Sequence, residues 1–382
     1  MIKPAQRLKD IKEYYFSTKL REISELNRSG KNIINMGIGN PDLSPPENVT
    51  NVLEKAIKDC GSHKYQPYKG INQLRMSISD FYRKNYDVYL DYDENILPLI
   101  GSKEGIMHIS MAFLNKGDKV LIPNPGYPSY KSITKLVGAE PLFYSLLEKN
   151  NWLPDLDSLK LLVSDNVKLM WINYPNMPTG KNSSIEFFKK IYDFAVSNDI
   201  LVINDNPYSF ILNENPVSFL SVDSTFDHCL ELNSLSKSHN MAGWRVGMVV
   251  GSKKNIDTIL KVKSNIDSGM YYGIQKGAIE ALSLNSSWYT SLNKIYRKRR
   301  EIVYKICDKL KLTYDKNSSG MFVWAKIKSL DISSVEFVDN LLYNKEIFIT
   351  PGSIFGINGE GYVRLSLCLS QDKLKEALNK LL

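Results

Sequence analysis

A lysine lies among serines in the segment SLSKSHNMAGWRVG, residues 234–247 of this 382-residue chain. Lys237 follows Ser234 and Ser236, and Arg245 comes eight residues later. A lysine amine that is activated by its surroundings can attack a carbonyl carbon, whereas hydroxyls and a guanidinium can bind an anion. The spacing therefore indicates a reactive amine beside an anion site, if the fold brings these residues together. A solvated surface lysine is the alternative.

Other polar residues directly follow apolar runs. Ser102 comes after NILPLI, in GSKEGI, and Tyr127 comes after KVLIP, in NPGYPSY. Asp205 and Tyr208 come after ILVIN, in DNPYSF. Backbone N–H groups at a helix start bind anions, and a carboxylate at a strand end needs a partner or water. Buried turn packing for Tyr127 and a helix cap for Asp205 are the alternatives.

The elements that must position these residues follow from the alternation of apolar runs with helical segments between about residues 95 and 250. Such βαβ alternation predicts an α/β fold, with a mostly parallel sheet sandwiched by helices. Ligands of such sheets bind beyond the carboxyl ends of the strands, which is where the polar residues above fall. The predicted strands are NILPLI, KVLIP, AEPLFYSL, VKLMWIN, ILVIND, HCLELN and RVGMVVG.

A second, smaller α+β unit is predicted after about residue 285. Its elements are an amphipathic helix at about 287–311, FVWAKI, a helix near 334–344, IFITPG, YVRLSLC and a closing helix at 371–382. The first 30 residues are helical in pattern, and the strand-like NIINMGIGNPD follows them. We therefore predict an N-terminal segment (1–46) that joins the small domain, a large cofactor-binding domain (47–285) and a small C-terminal domain (286–382).

Composition narrows the class of protein. The chain is 43% hydrophobic and 24% charged. It contains no apolar run of about 18 residues, and the segment MIKPAQRLKD lacks the short apolar run and small-residue cleavage site typical of a secretory leader. We therefore predict a cytoplasmic protein without membrane contact. The basic run 297–300 lies on the polar face of a helical pattern, so the net charge of +8 does not predict nucleic-acid binding. Four distant cysteines and four scattered histidines predict neither a metal site nor disulfides.

Together, the strand-end loops supply a lysine, a carboxylate, a phenol, an aromatic face and an anion cradle made of Ser102, Ser234, Ser236 and Arg245. This set suits a flat, phosphorylated aldehyde that contains a ring nitrogen. Pyridoxal 5'-phosphate has this chemistry.

The chain also resembles class I/II aminotransferases of the pyridoxal-phosphate-dependent fold type I superfamily, of which aspartate aminotransferase is an example. The resemblance rests on GIGNPD, YQPYKGINQLR, GSKEGI, PNPGYPSY, YPNMPTG, NDNPY, SLSKSHNMAGWRVG and VRLSLC, in the family's order. It implies transfer of an amino group from an L-amino acid to a 2-oxo acid, by a ping-pong mechanism through a lysine Schiff base. It also implies a homodimer with shared active sites.

The resemblance assigns a role to each motif residue. Lys237 would form the Schiff base and carry a proton, Asp205 would pair with the pyridine nitrogen, and Tyr208 would hydrogen-bond the phenolic oxygen. Arg364 would bind the substrate's α-carboxylate together with the Ile38–Gly39 backbone. The remaining matches concern the cofactor ring and phosphate: ring stacking by Tyr127, phosphate contacts from Ser102, the Lys103 amide, Ser234, Ser236 and Arg245, and a contact from Tyr65 to the neighbouring subunit's phosphate. Turn formation for Ser236 and ordinary packing for Tyr65 are the alternatives.

Met177 departs from the family pattern, which has an asparagine before the proline of NxPTG as a donor to the phenolic oxygen. A thioether cannot donate a hydrogen bond. Either Asn173 or Asn176 supplies the missing donor, or Tyr208 holds that oxygen alone. In the second case we expect a raised pKa of the Schiff base.

Three other functions remain open at this point. A lyase (C–S or β-elimination) or a decarboxylase would use the same lysine, aspartate and phosphate cradle, and a non-catalytic ligand-sensing regulator could use the same fold. The donor is not determined either. Two groups of aromatic residues could line a pocket for a large apolar side chain, or pack in the core: Tyr14, Tyr15 and Phe16, and Tyr271 and Tyr272.

Overall fold

Seven strands form the central sheet of the computed structural model, which describes residues 2–328 and 331–381. In chain order they are β2 (Ile96–Leu99), β3 (Lys119–Asn124), β4 (Glu140–Ser145), β5 (Val167–Ile172), β6 (Leu201–Asp205), β7 (Cys229–Ser234) and β8 (Gly247–Gly251), after a short β1 (Ile34–Asn35). The order across the sheet is β2-β8-β7-β6-β5-β3-β4, and only β8 runs antiparallel to its neighbours. All seven predicted runs are strands, and the predicted mostly parallel sheet is confirmed.

Helices cover both faces of this sheet, as predicted. The helices up to β8 are α1 (Tyr15–Arg28), α2 (Glu47–Ile57), α3 (Asn72–Tyr86), α4 (Ser102–Phe113), α5 (Pro128–Leu136), α6 (Leu156–Lys160), α7 (Ile185–Ser197) and α8 (Leu235–Ser238). Those that follow are α9 (Lys253–Lys263), α10 (Tyr272–Leu282), α11 (Ser286–Lys309), α12 (Ser334–Lys345) and α13 (Gln371–Asn379). Apolar side chains of α4, α5 and α9 form the core on one face, and those of α2, α3, α7 and α10 form the core on the other. Central strands such as β7 and β8 are therefore buried throughout.

The C-terminal elements form a second sheet of β9 (Thr313–Tyr314), β10 (Phe322–Lys326), β12 (Thr350–Pro351) and β13 (Tyr362–Ser366), in the order β12-β13-β10-β9. The segment IFITPG is not one strand. Its first part, β11 (Ile347–Phe348), pairs in parallel with β1, and its second part, β12, pairs with β13. The split lets one short segment contact both the N-terminal strand and the strand that carries Arg364.

The N-terminal segment shares a core with these C-terminal elements. Phe16, Ile23 and Met36 belong to the same buried cluster as Val303 of α11 and Leu342 of α12. This packing supports the predicted assignment of residues 1–46 to the small domain, whose boundaries stay predictions. The closing helix ends at Asn379, and Leu382 lies outside the described residues. Nowhere in residues 2–328 or 331–381 is a helix both long and apolar enough to cross a bilayer.

Candidate active site

A cavity of about 560 Å³ opens at the carboxyl ends of the central strands. It is lined by residues from five strand-end loops, by the N-terminal segment and by β13. Every predicted site residue except Tyr65 contributes to its wall: Ile38, Gly39, Ser102, Lys103, Tyr127, Asn173, Asp205, Tyr208, Ser234, Ser236, Lys237, Arg245 and Arg364. The sequence motifs, spread over more than 300 residues, thus meet at one place.

Lys237 is the third residue of α8, the short helix that follows β7 directly. Its Nζ donates a hydrogen bond to the carbonyl oxygen of Gly39 at 2.5 Å. Burial lowers the pKa of Lys237 below the ordinary value for a lysine, and the charges of Arg364 and Arg245 act in the same direction. A larger share of this amine is therefore neutral, and hence nucleophilic, at neutral pH.

Asp205, the last residue of β6, presents two carboxylate oxygens in different environments. Oδ2 accepts a hydrogen bond from the Tyr130 hydroxyl at 2.8 Å, whereas the buried Oδ1 has no hydrogen-bond partner in the described part of the chain. Burial raises the pKa of Asp205 to about 6, the Tyr130 hydrogen bond lowers it, and Glu231 raises it further. A protonated ring nitrogen at Oδ1 would satisfy this oxygen and favour the ionised carboxylate.

Tyr130 is a positioning residue that the sequence analysis missed. Its ring stacks on Trp171, with centroids 4.9 Å apart and planes 7° from parallel, and the whole side chain is buried. This packing fixes the hydroxyl against Asp205. Its place in NPGYPSY, three residues after Tyr127, is the signal that could have identified it.

The anion cradle depends on a close approach between two loops. Gly101, with φ of +88°, precedes α4, and a Cβ atom there would lie 2.2 Å from Nη2 of Arg245. Arg245 itself has φ of +57°, and its Nη1 donates to the carbonyl oxygen of Ala242 at 2.9 Å. The N-terminal N–H groups of α4 and the Arg245 guanidinium therefore lie together, an arrangement suited to a phosphate.

Two tyrosines flank the middle of the cavity. Tyr127 packs edge-on against Tyr130, with ring centroids 5.5 Å apart. Tyr208 packs edge-on against Phe322 at 6.0 Å, and burial raises its pKa above the ordinary value for a tyrosine. The Tyr208 hydroxyl thus stays protonated at neutral pH and can donate a hydrogen bond.

Arg364 lies on β13, in the second sheet, and lines the cavity. Its Nη2 donates to the carbonyl oxygen of Gly37 at 2.7 Å, and its Nη1 lies 3.1 Å from the sulfur of Met177. Its Cζ lies 3.9 Å from the centroid of the Phe322 ring and 4.8 Å from that of Phe355. Burial lowers the pKa of Arg364 to about 10, so the guanidinium remains charged at neutral pH. A rigid, charged fork of this kind suits a carboxylate.

The asparagines near Met177 already hydrogen-bond to other groups of the protein. Asn173 lines the cavity, but its Nδ2 donates to the carbonyl oxygen of Asp205 and its Oδ1 accepts from the Met177 N–H at 2.7 Å. Asn176 accepts from Thr179 and donates to the carbonyl oxygen of Asn173 at 3.2 Å. These bonds favour the alternative in which Tyr208 acts alone.

Several aromatic residues lie elsewhere than the site. Tyr65 is 89% exposed and borders a separate surface groove that also contains Tyr271. Of the aromatic candidates for a side-chain pocket, Tyr14 and Phe16 line the cavity, whereas Tyr15, Tyr271 and Tyr272 do not. The sequence analysis missed further lining residues, among them Leu20, Phe322 and Phe355, because nothing in their local pattern separates them from core residues.

One cluster of possible metal ligands lies outside the cavity. Glu104, His108 and Asp267 have ligand atoms within 4.8 Å of one another. Asp267 is paired with Lys263, whose Nζ lies 2.8 Å from Oδ1. The cluster therefore already contains a cation, which weakens its attraction for a metal ion.

Comparisons with known proteins agree with this geometry. The family model for aminotransferase class I and II matches residues 31–381. The chain belongs to this family. An LL-diaminopimelate aminotransferase of Halothermothrix orenii is 38% identical over 379 residues, which are 99% of this chain and 97% of the relative. That of Aquifex aeolicus is also 38% identical, and the match covers 100% and 99% of the two chains.

Solved structures show the same fold. The apo structure of BacF from Bacillus subtilis matches with a TM-score of 0.95 and 34% identity, over 100% of this chain and 98% of that one. An aromatic aminotransferase from Pyrococcus horikoshii matches with a TM-score of 0.86 and 30% identity, over 94% and 97%. The protein is thus an aminotransferase of pyridoxal-phosphate fold type I, and membership of this family implies dependence on pyridoxal phosphate. The lyase, decarboxylase and regulator alternatives are not favoured, because the curated relatives are aminotransferases.

Proposed function

We propose that the protein transfers the amino group of an L-amino acid to a 2-oxo acid by a ping-pong mechanism, with pyridoxal phosphate bound in this cavity. When bound, the cofactor would supply an aldehyde that forms a Schiff base with Lys237 and a ring that withdraws electrons from the substrate. The observation that carries the proposal is the meeting, in one cavity, of the Lys237 amine, the unpartnered Oδ1 of Asp205 and the Arg364 guanidinium.

The residues present fit this cofactor. Asp205 would hold the ring nitrogen, Tyr208 the phenolic oxygen and Tyr127 one face of the ring. The phosphate would lie at the start of α4, against Arg245. The other residues that would contact the phosphate all line the cavity: Ser102, Lys103 through its backbone amide, Ser234 and Ser236.

Lys237 would also move the proton that the reaction requires. With its pKa lowered by burial, the Nζ atom could accept a proton from the substrate's Cα and afterwards donate it again. Arg364 would fix the substrate's α-carboxylate, which orients Cα toward Lys237. The Gly39 carbonyl, which now accepts from Lys237, belongs to the Ile38–Gly39 backbone that would contact the substrate.

We also propose a homodimer, in which Tyr65 reaches the phosphate of the partner subunit. The support is the exposed position of Tyr65, outside its own chain's cavity. The names of the curated relatives make LL-diaminopimelate the first donor to test, with 2-oxo acids as acceptors.

The experiment uses the protein loaded with pyridoxal phosphate. Borohydride should fix the cofactor covalently on the peptide that contains Lys237, and Lys237→Ala should lose both this adduct and the visible absorbance band. Lys103→Ala, which removes the other lysine of the cavity, should keep the adduct on Lys237. A donor amino acid should then convert the band to that of pyridoxamine phosphate and release its 2-oxo acid. An adduct on another lysine, or ammonia in place of pyridoxamine phosphate, would refute the proposal.

A further inference from the structure

Aromatic rings form the wall of the cavity around Arg364. Besides Phe322 and Phe355, Phe16 lies against the guanidinium, with its ring centroid 5.4 Å from Cζ. The Phe16 and Phe355 rings are tilted by 45° to each other, with centroids 6.5 Å apart. A substrate whose carboxylate binds Arg364 must therefore place its next atoms beside these rings.

The N-terminal helix extends this wall toward the solvent. Phe16 and Leu20 lie one turn apart on α1, and both line the cavity, as does Tyr14 directly before the helix. Phe16 is 9% exposed and Leu20 is 44% exposed, so the wall runs from the buried interior to the cavity mouth. We call Tyr14, Phe16, Leu20, Ile38 and Phe355 the apolar wall.

The charges in the cavity are unevenly distributed. Among the described lining residues only Asp205 carries a carboxylate, and Tyr130 already occupies one of its oxygens. The cations are Lys103, Lys237, Arg245 and Arg364. In the part of the site that this chain forms, a second ammonium group on a substrate would thus lie among cations without a free carboxylate to pair with, which is costly.

Lys103 lies against the Tyr14 end of the apolar wall. Its Nζ lies 4.4 Å from the centroid of the Tyr14 ring. Burial lowers the pKa of Lys103, and the charge of Arg245 lowers it further. The ammonium thus lies near both Tyr14 and Arg245, and a phosphate in the anion cradle would offset its charge.

We infer that the apolar wall receives the side chain of the amino donor and that the preferred donors are aromatic L-amino acids. This inference rests on the proposed function and departs from the donor that names the curated relatives. Aromatic rings gain from edge-on and offset contacts with other rings at centroid distances of about 4.5–7 Å, and Tyr14, Phe16 and Phe355 each line the cavity with a ring. An aliphatic diamino acid would make no such ring contacts and would meet no free carboxylate among this chain's lining residues.

The first test compares donors with the loaded enzyme. We expect kcat/KM for L-phenylalanine and L-tyrosine to exceed that for LL-diaminopimelate, L-lysine and L-aspartate by at least about tenfold, since a large apolar group and an unpaired charge both change affinity by that much or more. A higher kcat/KM for LL-diaminopimelate or L-aspartate than for both aromatic donors would overturn the inference while leaving the proposed transfer intact.

The second test measures binding without turnover. Three carboxylates that lack an α-amino group serve as probes, namely 3-phenylpropionate, 6-aminohexanoate and glutarate, and binding is followed by the absorbance of the bound cofactor. We expect 3-phenylpropionate to bind at least about tenfold more tightly than the others. If 3-phenylpropionate binds most tightly but no donor transfers its amino group, the proposed function is refuted and the inferred side-chain preference is retained. Equal or reversed affinities would refute the inferred preference.

A matched pair of variants locates the effect. Leu20→Glu adds a carboxylate to the wall. We expect this variant to favour 6-aminohexanoate over 3-phenylpropionate, in the ratio of their affinities, by about tenfold more than the wild type does. Thr18→Glu adds the same charge to an exposed position of α1 that does not line the cavity, so its ratio should match the wild type. An equal shift in both variants would show that the effect is one of net charge and would overturn the inferred location.

Discussion

At the scale of single residues, Asp205 shows how one carboxylate can be prepared for a ligand. Its two oxygens are both buried; among residues 2–328 and 331–381, the Tyr130 hydroxyl donates to Oδ2 and no group donates to Oδ1. Burial raises the pKa of Asp205 to about 6, and the donor opposes that rise. The hydrogen bond from Tyr130 therefore increases the fraction of the Asp205 carboxylate that is ionised in mildly acidic solution.

Removing this donor should move the acidic side of the pH profile. Tyr130→Phe keeps the ring stacked on Trp171 and deletes only the hydroxyl, so the pKa of Asp205 should rise and the acidic limb of kcat/KM should shift to higher pH. A hydrogen bond to a charged group contributes about 1.5–3 kcal/mol, so the shift should approach about one pH unit or more.

Tyr144→Phe is the control for this shift. The Tyr144 hydroxyl is equally buried but donates to the carbonyl oxygen of Trp171, at 2.7 Å, and not to Asp205. Its loss should reduce stability and leave the acidic limb in place. An unchanged limb in Tyr130→Phe would show that Asp205 does not govern it.

Met177 is the second residue whose identity has a measurable effect. Its sulfur cannot donate to the cofactor's phenolic oxygen, and the amides of Asn173 and Asn176 already donate to the carbonyl oxygens of Asp205 and Asn173. Met177→Asn adds a possible donor, which should stabilise the phenolate. We therefore expect the pH midpoint of the visible absorbance change to fall by about half a unit to one unit, the effect of one ordinary hydrogen bond.

Met177→Leu separates this effect from simple loss of the thioether. Leucine has a similar volume and no donor, so the midpoint should remain that of the wild type. A drop of equal size in both variants would indicate that the contact between Met177 and Arg364 sets the midpoint, and the donor argument would be wrong.

At the scale of elements, the anion cradle depends on how closely two loops approach. Gly101 precedes α4 at positive φ, and Nη2 of Arg245 occupies the space that a side chain would need. Gly101→Ala should therefore displace Arg245 and weaken pyridoxal phosphate binding by at least about tenfold, as expected when a phosphate loses a charged hydrogen-bond donor. Equilibrium titration of the apoprotein gives the dissociation constant.

Gly117→Ala provides a control with the same backbone strain. Gly117 has φ of +90°, and no atom lies within 4 Å of an added Cβ. The variant should lose about 1 kcal/mol of stability and keep the affinity of the wild type for the cofactor. Equal losses of affinity in the two variants would mean that strain, and not the clash with Arg245, is responsible.

Elements also mark the limit of what the sequence predicted. The seven central strands were predictable because each is an apolar run followed by turn residues, and the site residues were predictable because they follow those runs. The division of IFITPG between two sheets was not predictable from the sequence, because it depends on the pairing of β11 with the distant β1 and of β12 with β13. Phe16 and Phe355 were missed as neighbours of Arg364 for the same reason: their contact arises from packing between distant segments.

At the scale of the whole molecule, one predicted site residue lies apart from the rest. Tyr65 is 89% exposed in its own chain, and we propose that it completes the site of a partner subunit. If so, Lys237 and Tyr65 of any one active site come from different chains. This arrangement can be tested by mixing two inactive variants.

Subunit mixing should restore activity. Lys237→Ala and Tyr65→Ala are each expected to be impaired, but a heterodimer of the two contains one site with both residues intact. Random exchange should thus recover about a quarter of the wild-type activity, measured after dissociation and reassociation at equal concentrations. Lys237→Ala mixed with Tyr89→Ala, which changes another exposed tyrosine, should show only the activity of the Tyr89 variant. Recovery no greater than the sum of the unmixed samples would place Tyr65 outside the partner's site.

The pairing of β1 with β11 also has a consequence for biosynthesis. Ile34 pairs with Ile347 and Asn35 with Phe348. The N-terminal strand β1 therefore cannot pair with β11 until almost the entire chain has been translated. The large sheet, complete by residue 251, can form earlier, while α1 and β1 must wait beside the ribosome with their apolar side chains unpartnered. The apolar wall is therefore among the last parts of the protein to fold. Until it folds, the apolar side chains of α1 and β1 stay exposed, and a chaperone could bind them.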